Sequence, residues 1–327
     1  VDMYEEYRNL TLDVIGKAAF SFEFNAIFGN RSKVQEAIEV LMKETIFRVQ
    51  EPLELSKYLE FIPFAPQRKI VKARKLVERV CFDIINKKME ARESREDIDR
   101  KKSDLLDILI SIKKEGRYLT PKEVLDECFT FVLAGAETTS NALSYTIGCL
   151  AKHPEDQQKV FDEVVKHMGG VESQPKYSDV KNFKYLRQCV KEAMRMYPSG
   201  ASVRRQLVKD VQVGSHNIPK GSVVMMSLFM SHFNPKVYPE PYKYKPSRFS
   251  QENAKNIPLH GYSPFGAGLR ICVGKSFAEA EILLATSRLI QKFKFGWPDN
   301  RTWPIPQSES FTVIPKEGVK VEMTLRN

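Results

Sequence analysis

Residues 265–274 read Phe265-Gly266-Ala267-Gly268-Leu269-Arg270-Ile271-Cys272-Val273-Gly274, and a helical pattern follows from about Gly274 to Lys292. A single thiol thus stands at the end of a glycine-rich loop, just before a helix. A cysteine in that place gains from the partial positive charge of the helix N-terminus. Arg270 and Lys275 add cationic surroundings, so a thiolate is favoured. Gly266, Gly268 and Gly274 permit tight turns and a close approach of backbone to a bulky flat ligand. A phosphate-loop reading of the same stretch fails. The pattern Gly-x-x-x-x-Gly-Lys-Ser, ending at Gly274-Lys275-Ser276, would need its first glycine at Leu269. His260–Pro264 is also not the apolar strand that such a loop follows.

Upstream of this loop the chain reads mostly as helix. Leu10–Phe20 and Lys33–Val49 carry apolar residues at three- and four-residue spacings. Residues 61–66 form a break, and a helical pattern resumes from about Gln67 through Met89. A mixed charge run over Lys87–Asp104 reads as a solvated helix end and loop. Thr120-Pro121-Lys122-Glu123 carries a capping box with proline at the first helical position. The pattern that follows has no proline until His153-Pro154, which predicts a helix of about 32 residues, on the order of 48 Å long. Its middle, Phe129–Ala136, is apolar almost all round and should be buried. Further helices are expected from about Pro154 to Met168 and before Tyr197-Pro198. Val203–Val213 and Val223–Phe229 read as strands flanking an Ile218–Gly221 turn, and Thr312–Leu325 as a hairpin around Pro315–Gly318. The expected class is mainly α with a smaller β region.

Composition bounds the alternatives. Of 327 residues 42% are hydrophobic, enough for a sizeable core, so overall disorder is excluded. Lysine and arginine number 51 against 41 acids, a formal charge of +10. That balance suits acidic partners or an anionic membrane surface, but it is spread too widely to point to nucleic acid. Five cysteines, with no Cys-x-x-Cys pair, argue against a disulfide framework. No apolar run approaches the roughly 18 residues of a membrane span, and no signal peptide is visible.

Two further constellations stand out. Within the long helix, Ala134-Gly135-Ala136-Glu137-Thr138-Thr139 puts an acid and an alcohol in apolar surroundings, a costly placement unless solvated or used. Gly135 removes side-chain bulk, and the Thr138 hydroxyl can bond a preceding carbonyl, which is expected to open the helical ladder locally. Glu192-Ala193-Met194-Arg195 places a carboxylate and a guanidinium on one helix face.

The loop spacing Phe-x-x-Gly-x-Arg-x-Cys-x-Gly resembles the haem-binding loop of the cytochrome P-450 monooxygenases. The similarity runs from about Leu10 to the C-terminus, as a single domain over 1–327. It implies the P-450 fold, with haem b bound through Cys272 as the axial ligand of the iron. Phe265, Gly268 and Gly274 shape the loop, and Arg270 with one of Arg204 and Arg205, preferably Arg205, contacts the propionates. Ala134–Thr138 resembles the family's oxygen-activation motif, so Glu137 and Thr138 are implied as the catalytic proton relay. Glu192 and Arg195 resemble the Glu-x-x-Arg pair that meets an arginine of a Pro-x-Arg-Phe segment, here Pro246-Ser247-Arg248-Phe249. Ser247 departs from the commoner glutamate, while Arg248 is kept. These three are read as structural.

The resemblance further implies O2 as co-substrate and electrons from NADPH through a flavoprotein cytochrome reductase. That reductase would dock on a basic face where Lys275, Arg270 and Lys191 are candidates. The family's usual N-terminal membrane anchor and its early haem-contacting helix have no counterpart here, which implies an N-terminally truncated chain and weak haem retention. The implied address is the cytoplasmic face of the endoplasmic reticulum membrane, or mitochondria. The expected substrate pocket is Phe129–Ala136, Pro198–Val203 and 310–312, whose small residues leave room for a lipophilic substrate. A sterol or similar lipid is favoured by likeness to cholesterol 24-hydroxylase and fatty-acid ω-hydroxylases. Ala134 stands where many ω-hydroxylases carry a haem-linked glutamate. The alternatives are a haem-thiolate isomerase or dehydratase of lipid peroxides, against which Glu137-Thr138 argues, and a non-catalytic haem-binding fragment.

Overall fold

Among the described residues the longest element is a helix of 32 residues, Pro121–Lys152. The computed structural model describes residues 1–28, 33–34, 36–38, 40–41, 44, 65–93, 103–114, 116–309 and 312–326. It divides into two compact units, Glu5–Ser140 and Val1–Tyr4 with Asn141–Asn327.

Among the described residues, the regular elements of the first unit are helices and one short hairpin. Helix α1 (Met3–Phe20), α2 (Ala65–Glu93), α3 (Leu105–Ser111) and the first part of α4 (Pro121–Lys152) supply its core. Leu12, Ile15 and Ala19 of α1 meet Ala73, Val77, Ile84 and Ile85 of α2, Leu106 and Leu109 of α3, and Val124, Cys128 and Val132 of α4. Their three- and four-residue spacing is the apolar stripe that buries a helix. β1 (Lys113–Lys114) and β2 (Arg117–Tyr118) form the hairpin. The start of α4 is fixed as its sequence demands. The Glu123 amide donates to Thr120 Oγ1 at 3.2 Å, and the Thr120 amide to Glu123 Oε2 at 2.8 Å. Arg117 adds a two-pronged contact on the same carboxylate at 2.7 and 2.8 Å.

Helix α1 begins seven residues earlier than the sequence pattern suggested. Met3 and Tyr7 are buried one turn apart, and the Asp2 carboxylate accepts the Tyr4 amide at 3.1 Å. The expected break at 61–66 falls mostly on 61–64, outside the described residues. Ala65 and Pro66 already belong to α2, because proline is tolerated in a first helical turn. The expected Lys33–Val49 helix is helical at its described positions, and its end, like the charge run over 94–102, lies outside them.

The second unit packs α5 (Pro154–Met168), α6 (Lys184–Met196), α7 (Leu228–His232) and α8 (Lys275–Lys292) with four antiparallel strand pairs. Helix α5 stops at Gly169, at φ 75°, whose amide reaches the Val165 carbonyl. Buried Gln157 of α5 donates to the carbonyls of Leu150 and Phe295 and accepts the Phe295 amide, stitching helix to strand.

Strand pairing departs from the sequence reading in two places. The predicted 203–213 strand is two strands, β3 (Ser202–Gln206) and β4 (Val211–Val213), interrupted where Asp210 accepts the Lys220 amide. β4 pairs with β5 (His216–Ile218) around Gly214, while β3 pairs with β6 (Val223–Ser227). Residues 219–222 therefore connect β5 to β6, with Ile218 paired in β5, and Leu228-Phe229 begins α7, capped by Ser227. The expected C-terminal hairpin does not form. β9 (Val313–Pro315) pairs backwards with β8 (Gln307–Glu309), and β10 (Glu322–Leu325) pairs with β7 (Phe293–Gly296). The intervening 319–321 segment is taken by the chain's own start. The Met3 amide donates to the Val319 carbonyl, and Val1 and Val321 exchange hydrogen bonds.

Candidate active site

Cys272 sits between a single 3₁₀ turn, Gly268–Arg270, and helix α8. Its amide donates to the Phe265 carbonyl at 2.9 Å, and the Gly266 amide donates to the Ser263 carbonyl at 2.9 Å. These nested turns need Gly266 at φ 73° and Gly268 at φ 68°, where side chains are strained. Gly274 is the residue before α8. A Cβ there would stand 3.9 Å from Cys272 Sγ, in ordinary van der Waals contact, so Gly274 lies directly beside the sulfur.

Cys272 is the exposed cysteine of the five, and the other four are buried. Burial pushes the thiol of Cys81 up to about 11 and that of Cys128 to about 12, and it raises those of Cys149 and Cys189 further still. Those four are held protonated and enclosed, which leaves Cys272 to act as a ligand or nucleophile. Around it, Leu269 (104% exposed), Val273 (85%), Ile271 and Phe277 present bare apolar side chains to water. An exposed thiol ringed by uncovered apolar groups fits a bulky apolar cofactor whose metal takes a soft sulfur ligand. Haem meets that description, and the residues present fit it.

The cations expected near this loop divide. Arg270 and Lys275 are exposed, with Lys275 Nζ 6.0 Å from the Phe265 ring centroid. Lys191 is half-buried over the Phe249 ring, and its pKa is lowered by desolvation and by Arg187. Arg204 and Arg205 are adjacent on β3, so they project from opposite faces and only one can serve a given partner. Arg205 Nη1 donates to the Arg204 carbonyl at 2.7 Å.

The structure brings Glu192, Arg195 and Arg248 together. Arg195 grips the Glu192 carboxylate through Nε at 2.8 Å and Nη2 at 2.9 Å, and both side chains are fully buried. Arg248 Nε reaches Glu192 Oε1 at 3.2 Å, and the Lys245 amide reaches the same oxygen at 2.9 Å. Arg195 also donates to the carbonyls of His232 and Lys243. Such forked contacts specify geometry as well as charge.

In the other unit, α4 stays unbroken through Ala134–Thr139. Thr138 Oγ1 donates to the Ala134 carbonyl at 2.6 Å, the back-bond anticipated from sequence. Gly135 faces Ile15, and an added Cβ would lie 3.1 Å from its terminal carbon, so the glycine admits close helix packing. Glu137 and Thr138 are half-buried. Phe129, at the head of the expected pocket, borders a cavity of about 230 Å³ with Glu44, Arg74, Glu78 and Asp126, a more charged lining than a lipophilic pocket needs. Elsewhere the Val313 amide donates to the Ser199 carbonyl, bringing the small-residue stretch 198–203 beside 312–313. Residues 310 and 311 lie outside the described residues.

Sequence reasoning missed two residues. Thr11 places its hydroxyl 2.8 Å from both the Tyr7 and the Ala136 carbonyls, touching the backbone beside Glu137. His232 is fully buried and accepts the Ser263 amide at Nε2, 3.1 Å away. A threonine on the apolar face of α1 was a usable signal for the first. Nothing local marks the second.

Comparison with known proteins bears on the fold and the family. A crystal structure of a cytochrome P450 (CYP102L1) superposes with a TM-score of 0.88, covering 100% of this chain and 72% of that one at 24% identity, a likeness of fold. Among curated proteins, the probable cytochrome P450 4e1 of Drosophila melanogaster is 34% identical over 303 residues, 90% of this chain and 56% of that protein. The ultra-long-chain fatty acid omega-hydroxylase of Homo sapiens is 30% identical, over 90% of this chain and 57% of the relative. The chain thus spans somewhat more than half the length of these relatives. With the cytochrome P450 pattern matched from residue 1 to residue 323, through both units, the chain belongs to the cytochrome P450 family.

Proposed function

We propose that this chain, as a single functional domain over 1–327, serves a haem-thiolate monooxygenase reaction that inserts one oxygen atom from O2 into a lipophilic substrate. The observation that carries this reading is the exposed Cys272, fixed by its amide on the Phe265 carbonyl at the mouth of α8 and ringed by bare apolar side chains. Haem held by a cysteine thiolate would supply oxygen activation, because a thiolate ligand is a strong electron donor.

The chain's own residues have separable tasks. Cys272 would hold the haem iron through its sulfur, and the turns at Gly266 and Gly268 present that side chain. Phe265, Leu269, Ile271 and Val273 cover the apolar body of the cofactor. Arg270 and Arg205 neutralise its propionates. Glu137 and Thr138 would supply the proton relay for oxygen activation. The Thr138 hydroxyl donates to the Ala134 carbonyl, which fixes its oxygen on the helix beside Glu137. Glu192, Arg195 and Arg248 hold the scaffold below the loop.

Electrons come from NADPH through a flavoprotein reductase that meets the exposed cations Arg270 and Lys275, an attraction that raised salt should weaken. The substrate is a sterol or another lipid. The resemblance to a fatty acid omega-hydroxylase supports a lipid, as do the small side chains of Ser199, Gly200 and Ala201. The proposed address is the cytoplasmic face of the endoplasmic reticulum membrane. Among the described residues no helix is long and apolar enough to cross a membrane.

A reduced, carbon-monoxide difference spectrum of the haem-reconstituted protein, beside Cys272→Ser, tests the reading. A strongly red-shifted Soret band that the substitution abolishes is the expected result. An ordinary haem band in both folded proteins would overturn the assignment of Cys272.

A further inference from the structure

The entrance to the cysteine loop is pinned at two points by buried side chains. Tyr238 donates its hydroxyl to the Gly261 carbonyl at 3.0 Å. Two residues on, the Ser263 amide donates to His232 Nε2 at 3.1 Å, with the imidazole stacked on Tyr262 at 5.5 Å between ring centroids. The backbone carbonyl of the same histidine accepts from Arg195 at 3.0 Å. Ser263 in turn accepts the Gly266 amide, and Phe265, within that turn, accepts the Cys272 amide. A continuous path of hydrogen bonds and covalent backbone therefore runs from the Glu192 carboxylate through Arg195, His232 and Ser263 to Cys272.

We propose that His232 is a positioning residue: its neutral imidazole accepts the Ser263 amide and so ties the buried Glu192–Arg195–Arg248 network to the loop that presents Cys272. Its bearing on catalysis rests on the proposed role of Cys272, while the bond itself does not.

The chemistry of the ring narrows the role. Nε2 can accept an amide proton only if it carries none itself, so the proton of the neutral imidazole sits on Nδ1. That Nδ1 is buried and meets no hydrogen-bond partner among the described residues. Burying an unmatched N–H is costly, and the fold accepts that cost to place an acceptor at Nε2. A second proton would abolish the acceptor and set a cation beside Arg195, so the site selects the neutral ring. Burial and then Arg195 act in that direction, lowering its pKa to about 4. The placement also suits the path, because Arg195 and Ser263 engage opposite ends of one residue. A displacement of either is carried to the other.

The test compares His232→Phe, which keeps a stacking ring without an acceptor, with His232→Gln, whose side-chain oxygen reaches close to the Nε2 position. Amide hydrogen exchange over 260–274 is read on the haem-free protein. In the Phe variant, protection at Ser263, Gly266 and Cys272 should fall about tenfold, while Gln should stay near the parent and α4 should not change in either. Undiminished protection in the Phe variant, or equal loss in Phe and Gln, would overturn the proposal. Imidazole ¹⁵N shifts of the unaltered protein give an independent reading that no folding defect can obscure. An Nδ1–H tautomer is expected, and an Nε2–H tautomer refutes the link. Whether Cys272 ligates haem is read separately with Cys272→Ser, so the two ideas can fail independently.

Discussion

Replacing Arg195 by leucine should unfold the second unit at a markedly lower temperature. Both members of the Arg195–Glu192 pair are fully buried, and the substitution removes both prongs of the contact. It also strips the carbonyls of His232 and Lys243 of their donors. Glu192 keeps Arg248 and the Lys245 amide, so its charge is not left wholly bare. Breaking a buried pair from one side typically costs about 3–5 kcal/mol, because the stranded partner keeps its desolvation penalty. For a unit of this size each kcal/mol moves the midpoint by roughly 2–4 °C, so a fall of about 6–20 °C is expected by circular dichroism. Arg195→Lys keeps the charge but loses the fork, and should fall between parent and leucine. A midpoint within about 2 °C of the parent in Arg195→Leu would refute the view that this network holds the unit together.

Three further outcomes follow from particular groups. His232 is neutral when folded, with its pKa lowered to about 4 from the ordinary 6.5, so its contribution is complete above pH 6.5 and lost as pH falls through 4. That difference is worth about 3 kcal/mol, and urea titrations from pH 7 to 4 should show His232→Gln with the shallower acid decline; parallel curves would contradict it. Burial pushes the Glu281 carboxyl up to about 8, and its Oε1 has no partner among the described residues. The folded state therefore binds its proton more tightly, and stability is lost as pH rises from about 4.5 through 8. Glu281→Gln should gain in melting temperature over the parent on going from pH 5 to pH 9, and an unchanged difference would disprove the shift. Thr120→Ala removes the hydroxyl that caps α4 and should cost about 1 kcal/mol in chemical denaturation, with no measurable loss arguing that the cap is redundant.

What the sequence made legible was local. Thr120-Pro121-Lys122-Glu123 encodes a helix start within four residues, and Gly169 ends α5 through its own backbone freedom. The cysteine loop is legible for the same reason, since its glycines, its thiol and the helix behind it are neighbours in the chain. Glu192 and Arg195 pair within one turn, and Arg248 could be added only by resemblance. The strands behave differently. Thr312–Leu325 looked like a hairpin because a turn sits at its middle, yet its second half found partners in Val1–Met3 and in β7. Short strands with little buried alternation leave register weakly specified, so pairing is decided by which edges the folded chain makes available. His232 follows the same logic. It lies 31 residues from Ser263, inside a five-residue helix with no periodicity to mark it. Burial nevertheless forces the question of partners, because an enclosed amide such as that of Ser263 must be satisfied by something. In this chain the something is a histidine whose other end is held by Arg195, so satisfying one loop amide couples a fully buried ion pair to the exposed thiol.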